Sequence, residues 1–229
     1  MVCPVIIQAR MGSKRYPGKS MYMFNGKPSL MYLVESLEQC VDKKSIWVAT
    51  SEMDDNDPIR ELCRINSINV YSGDEDNVAK RYYDIVERIE GEYFIRVNGD
   101  SPLFDYRIMD TAIKEVDGNY DLYSTIYTRR FPSGMNFEII RRALYVQEYP
   151  GFHKAPHFEH VTKYFYENRH KYRIKQVPYP APDPGKYKFS FDTEEDRNTI
   201  RAFLAYIDKP HYCYSLAEKC DIYDKMPRA

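Results

Sequence analysis

Across its first hundred residues the chain repeats one unit: a short apolar run, a polar turn, then a stretch whose apolar residues recur every three or four positions. The first kind of segment is a strand buried on both faces, the second an amphipathic helix. Pro4–Ala9 is the first strand. From Pro28 a helix carries Leu30, Leu33, Val34, Leu37 and Cys40 along one face, with the proline suited to its first turn. Ser45–Thr50 is a second strand, Asp57–Ile65 a second helix and Ile68–Tyr71 a third strand. Asp74, Glu75 and Asp76 open a third helix that runs to Ile89, at the end where the macrodipole favours acids. Tyr93–Val97 is the fourth strand. This alternation requires crossover connections, so the class is α/β, a mostly parallel sheet with helices on both faces. Such sheets bind ligands at the carboxyl ends of their strands. The loops at 10–19, 50–56, 72–77 and 98–102 are therefore expected along one edge.

Beyond residue 105 the regularity loosens. A helix near 106–116, extended segments at 120–127 and 135–140, and helices at 141–148 and 156–169 precede Val177–Gly185, which holds four prolines in nine residues and reads as an irregular connection. Tyr187–Asp192 alternates as a strand returning to the sheet, and Thr193 with Glu194, Glu195 and Asp196 starts a helix with good capping chemistry. The expectation is one domain over 1–229, with about 120–185 inserted in it as an acceptor and homodimer region.

Composition excludes several functions. With 33 Lys+Arg against 34 Asp+Glu, a net charge of −1, bulk charge selects neither nucleic acid nor a membrane surface. The 22 tyrosines and 11 phenylalanines form no stacking series along a basic stripe. No apolar run approaches the ~20 residues of a spanning helix, and the N-terminal apolar burst lacks the basic flank of a signal peptide. Five scattered cysteines read as reduced thiols of a cytoplasmic protein.

The chemistry concentrates in Gln8–Lys19, a strand that opens into a loop with two glycines, four cations and a hydroxyl. Glycines let backbone N–H groups approach an anion, and Lys and Arg neutralise a polyphosphate. This is not the phosphate loop of the mononucleotide-binding ATPases: five residues before Gly18 stands Ser13, and no helix begins until Pro28. Asp100 and Asp192 each follow a strand and face the expected cleft, where two carboxylates can share a Mg²⁺ with phosphate oxygens. His157 and His160, three apart beside His153, offer a weaker metal pattern.

The segment PVIIQARMGSKRYPGK resembles the opening of the cytidylyltransferases of the spore-coat polysaccharide type, relatives of the enzymes that make CMP-activated acidic sugars. Trp47–Ser51, Tyr71–Val78 with Arg81–Tyr83, Arg96–Leu103, Glu159–Thr162 and Phe191–Asp196 continue the resemblance in order over nearly the whole chain. It implies the nucleotide-diphospho-sugar transferase fold (Rossmann-like, GT-A type), a CTP site and Mg²⁺. By it, Ala9, Arg10, Met11, Gly12 and Ser13 cradle the nucleotide, with Asn98 and Gly99, while Arg15 and Lys19 meet the phosphates. Thr50, Ser51 and Asp74 approach base and ribose; Asp100 and Asp192 hold the metal. Arg10, Lys19 and Asp100 would carry catalysis.

The implied reaction transfers CMP from CTP to a small acidic or phosphorylated acceptor, with release of pyrophosphate, for surface polysaccharide or glycoconjugate synthesis. The acceptor pocket is assigned to Arg129, Ser133, Asn136, Glu138, Glu159 and His160. Tyr16, Ser101 and the stretch Phe131–Glu138 depart from the family's usual pattern and leave the acceptor open. Two rivals are a glycosyltransferase using a finished sugar nucleotide and a non-catalytic nucleotide-binding module. The first typically needs an Asp-x-Asp motif, and Asp100 is followed by Ser101-Pro102 instead.

Overall fold

The computed structural model describes residues 3–128, 130–179 and 186–227. Its main sheet has seven strands in the order β5-β4-β1-β6-β8-β7-β9. These are β1 (Val5–Gln8), β4 (Ile46–Ser51), β5 (Asn69–Gly73), β6 (Tyr93–Asn98), β7 (Leu122–Ser124), β8 (Phe137–Arg141) and β9 (Ile174–Gln176). Only β8 runs antiparallel to its neighbours. A separate hairpin, β2 (Met23–Phe24) and β3 (Lys27–Pro28), leads into α1 (Ser29–Leu37).

The first strand is apolar up to its last residue, Gln8, because each face of the sheet is covered. Val5 and Ile7 belong to one core, whose other residues include Leu30 of α1, Ile59 of α2 (Asp57–Ile65), Ile108 of α4 (Tyr106–Lys114), Ile200 of α8 (Glu194–Tyr206) and Leu216 of α9 (Leu216–Lys225). Ile6 belongs to the opposite core, with Tyr82 of α3 (Val78–Val86), Tyr145 of α5 (Arg142–Glu148) and Phe165 of α7 (Lys163–Glu167). Strands β5, β4, β1 and β6 are parallel, so their carboxyl ends and the loops after them share one edge, as the alternation predicts.

The expected elements need three corrections. The acids Asp74–Asp76 precede α3 rather than opening it: Asp74 accepts from the backbone N–H groups of Asp76 and Asn77, and Asn77 caps the helix by accepting from Lys80 N. The expected helix over 156–169 is two short ones, α6 (Ala155–Glu159) and α7, parted at Val161, whose φ of 44° no α-helix permits. Tyr187–Asp192 adds no strand to the sheet. It makes one bridge, Lys188 with Ser133, and is otherwise held by Phe189 N donating to Ser133 O and Phe191 N donating to Asp100 O. The connection 177–185 lies outside the described residues from 180 onward.

Candidate active site

The loop Arg10–Lys19 folds on itself after β1. Met11 O accepts from both Ser13 N and Gly18 N (2.9 and 2.8 Å), and Met11 N donates to Asn56 Oδ1 at 2.9 Å. Gly18 turns the chain with φ of 73°, which costs a glycine nothing, and starts the short helical turn Lys19–Met21. That turn fixes the origin of the Lys19 side chain. On the other side, Gly99 brings β6 against β1: its N–H donates to Gln8 O, and a Cβ there would lie 2.8 Å from that same oxygen. Asp100 is thereby delivered next to the loop. The segment 189–192 arrives from far along the chain. Asp196 anchors it by accepting from Asp192 N and Thr193 N, and Thr193 closes the capping box of α8.

These three pieces meet at one point. Lys19 Nζ donates to Asp100 Oδ2 at 2.7 Å and to Asp192 Oδ1 at 2.6 Å, and Arg15 Nη2 lies 2.9 Å from the same Asp192 oxygen. Lys19, Asp100 and Asp192 are at most a fifth exposed, so water screens their pairing weakly. Two carboxylates converging on one cationic point fit Mg²⁺. The ion prefers hard oxygen ligands and commonly takes one or two carboxylates, completing its shell with phosphate oxygens and water. Among the described residues no three His, Cys, Asp or Glu side chains assemble into a closed metal cage, and such a shared site needs none.

Around this point lies a cleft of about 430 Å³. Of the expected nucleotide residues, Ala9, Arg10, Ser13, Arg15 and Lys19 line it, together with Asn98, Gly99 and Asp100. Arg10 spans its mouth, pairing with Glu75 Oε1 at 2.8 Å, and a Cβ at Gly12 would come within 3.2 Å of that oxygen. Thr50 and Ser51 are buried outside the cleft wall: the Thr50 hydroxyl donates to Asn56 Oδ1, and Ser51 Oγ accepts from Met53 N. Asp74 is exposed and spent on its turn.

Of the expected acceptor residues, the cleft gathers Glu159 and His160 only. The left-handed Val161 breaks the chain direction just after them, and strain of this kind in a β-branched residue is typical of functional turns. Ser133 Oγ bonds Ser190 Oγ, away from the cleft, Asn136 lies off its wall, and Arg129 is outside the described residues. Glu138 is wholly buried beneath the floor. It pairs with Arg96 at 2.7 Å and accepts from Thr162 Oγ1 and the Tyr166 hydroxyl, so it positions Arg96 rather than meeting an open pocket. Arg96 also donates to Gln8 and Asn98. Burial works against its charge, but Glu138 beside it outweighs that and raises its pKa above the usual range. His157, one half of the weak metal pattern, is buried and bonded to Glu167 at 3.0 Å, apart from the exposed His160.

Three residues that stand in the resembling segments without an assigned role lie at the cleft: Arg81 and Arg96 line it, and Glu75 pairs with Arg10. Arg81 was legible in one respect, as a cation among Val78, Ala79, Tyr82 and Ile85 on the buried face of α3.

A parallel sheet with a glycine-containing cationic loop after its first strand, and two carboxylates closing on that loop's lysine, defines a nucleotidyltransferase of the nucleotide-diphospho-sugar transferase fold. The sequence pattern of one such family, described as cytidylyltransferase, matches residues 4–219, and the chain belongs to that family. The spore coat polysaccharide biosynthesis protein SpsF of Bacillus subtilis is 29% identical over 86% of this chain and 84% of its own. A cytidylyltransferase from Leptospira borgpetersenii superposes with a TM-score of 0.90 at 27% identity, over 98% of this chain and 94% of that one. The structure of CMP:2-keto-3-deoxy-manno-octonic acid synthetase complexed with CTP shares the fold, with a TM-score of 0.66 at 17% identity over 90% and 99% of the two chains.

Proposed function

We propose that this enzyme transfers CMP from CTP to a small acidic or phosphorylated sugar-like acceptor, with release of pyrophosphate, in the synthesis of a surface polysaccharide or glycoconjugate. The observation that carries this is the convergence of Asp100 and Asp192 on Lys19, at the mouth of a loop built to receive an anion. The reaction forms a bond between an acceptor oxygen and the α-phosphorus of CTP while the bond to pyrophosphate breaks. Little covalent work falls to the protein; alignment and charge neutralisation dominate.

Lys19, once a triphosphate draws it from the carboxylates, stabilises charge on the departing pyrophosphate. Arg15 is two-thirds exposed and free to follow the phosphates. Arg10 leaves Glu75 for the same purpose. Asp100 and Asp192 would hold Mg²⁺, which supplies Lewis-acid stabilisation of phosphate oxygens when bound. The acceptor enters beside Glu159 and His160, where the Glu159 carboxylate takes a proton from an attacking hydroxyl. A phosphate acceptor needs no such base.

Melting curves with CTP, UTP, ATP and GTP, each with Mg²⁺, test the nucleotide without knowledge of the acceptor. CTP at ~100 times its Kd is expected to add about 2.7 kcal/mol of stability, and chelation to reduce the shift. A pyrophosphate-release screen over acidic and phosphorylated sugars then identifies the acceptor. A shift with a sugar nucleotide and with no free triphosphate would overturn the reading in favour of a glycosyltransferase.

A further inference from the structure

Two buried guanidinium groups line the cleft, and they are held in opposite ways. Arg96 is saturated, bonded to Glu138, Gln8 and Asn98. Arg81 is 2% exposed, and its Nε and Nη1 have no hydrogen-bond partner among the described residues. No carboxylate of the described residues lies within ion-pair distance of it. Glu75, whose Oε2 is likewise buried and unpartnered, helps its charge electrostatically, but burial and the neighbouring Arg10 prevail and lower its pKa. A buried cation left without partners is costly. The fold nevertheless holds it in place: the stem runs along the β5–α3 turn, so closely that a Cβ on Gly73 would meet Arg81 Cγ at 3.1 Å.

The position of Arg81 indicates what completes it. The phosphate end of the cleft lies at Lys19, Asp100 and Asp192, between β1, β6 and the segment 189–192. Arg81 and Val78 lie toward the opposite side, at the start of α3, which follows the edge strand β5. A nucleotide stretched along this strand edge, with its phosphates at Lys19, directs its base toward α3. An arginine offers donors only. Cytosine presents two adjacent acceptors on one edge, O2 and N3, whereas uracil carries a proton on N3.

Resting on the CTP reading above, we infer that Arg81 is the specificity-determining residue for the base, its guanidinium donating to the O2 and N3 acceptors of cytosine. Val78 beside it supplies apolar contact for the ring. Uracil would meet the guanidinium with a donor, leaving a buried N–H on each side unpaired, and mismatches of that kind discriminate strongly.

The test is calorimetric binding of CTP, UTP and inorganic triphosphate to the full chain and to Arg81→Met and Arg81→Lys. Methionine fills the space without a charge, so ligand-free Arg81→Met is expected to melt at or above the parent's temperature. A residue needed only for the fold would instead lower it. CTP affinity should fall about 10- to 100-fold, the worth of charge-assisted hydrogen bonds. UTP should change less than about threefold, and triphosphate not at all. Lysine keeps the charge but loses the two-pronged geometry, so it is expected to lose at least about tenfold in CTP-over-UTP preference even if the methionine variant folds poorly.

Unchanged CTP binding, or equal losses for all three ligands, would overturn the assignment. A parent that binds CTP and UTP alike overturns the CTP reading with it. A selective parent whose variants remain selective overturns this inference alone.

Discussion

Lys19 occupies the point where a metal ion would be shared, and that has a consequence for each residue around it. Removing one carboxylate leaves the lysine with the other, so Asp100→Asn should fold and melt near the parent's temperature. Its turnover is expected to fall by about 10²–10³-fold, the usual cost of removing one electrostatic stabiliser of a transition state. Near-normal activity of that folded variant would remove Asp100 from the machinery. Lys19→Met does the opposite. It leaves Asp100 and Asp192 facing each other with only the two-thirds-exposed Arg15 on Asp192, and like charges in a largely buried site repel. The ligand-free variant should melt lower than the parent, and Mg²⁺ should restore more of that loss than it adds to the parent. Melting curves with and without the ion decide the matter; equal shifts in both proteins would argue that the carboxylates do not bind the ion as a pair.

Among the elements, the parallel half of the sheet was legible in the sequence because a strand covered on both faces must be apolar throughout. The strands Val5–Gln8 and Ile46–Ser51 match the expected 4–9 and 45–50 to within a residue at each end. Asp100 was legible for the same reason, as a carboxylate just past such a strand. The return segment was not: its sequence alternates, but Ser190 and Asp192 are buried along with Phe189 and Phe191. What decides its form is a partner that cannot be seen locally, the turn around Gly134 instead of an extended strand. A Cβ at Gly134, whose φ is 95°, would lie 2.4 Å from Phe189 C. Gly134→Ala is therefore expected to push 189–192 outward, destabilising the fold by ~2–3 kcal/mol and misplacing Asp192. Denaturant unfolding checks the first effect, and turnover lost well below the melting temperature checks the second. Glu138 misled for a related reason: a charged residue in a motif reads as exposed, and only the pairing of β6 with β8 places Arg96 opposite it.

At the scale of the molecule, the last stretch of chain must dock on the first helix for Asp192 to be held against the loop after β1, and that docking carries a titratable group. His211 is buried against α1, its Nε2 2.7 Å from Tyr32 O and 3.1 Å from Ser36 Oγ. A carbonyl oxygen only accepts, so Nε2 carries the proton of the neutral ring. Burial is the main reason its pKa falls to about 3 from 6.5; Lys219 and Lys27 push the same way, and the bond to Tyr32 opposes them. Glu35, 3.9 Å from Nδ1, is too distant to offset this. Below pH 6.5 the unfolded chain binds a proton at this position that the folded one refuses until about pH 3. The stabilising effect of the neutral ring is thus complete above 6.5 and is lost by about 1.4 kcal/mol per pH unit as pH falls through that window. Between pH 7.5 and 5 the unfolding free energy should drop by about 2 kcal/mol through this group alone. His211→Gln, which can still donate to Tyr32 O, should lessen the drop by that amount. Urea titrations of both proteins at the two pH values measure it, and an identical pH dependence would show that the interface between the first helix and the C-terminal third does not sense the proton.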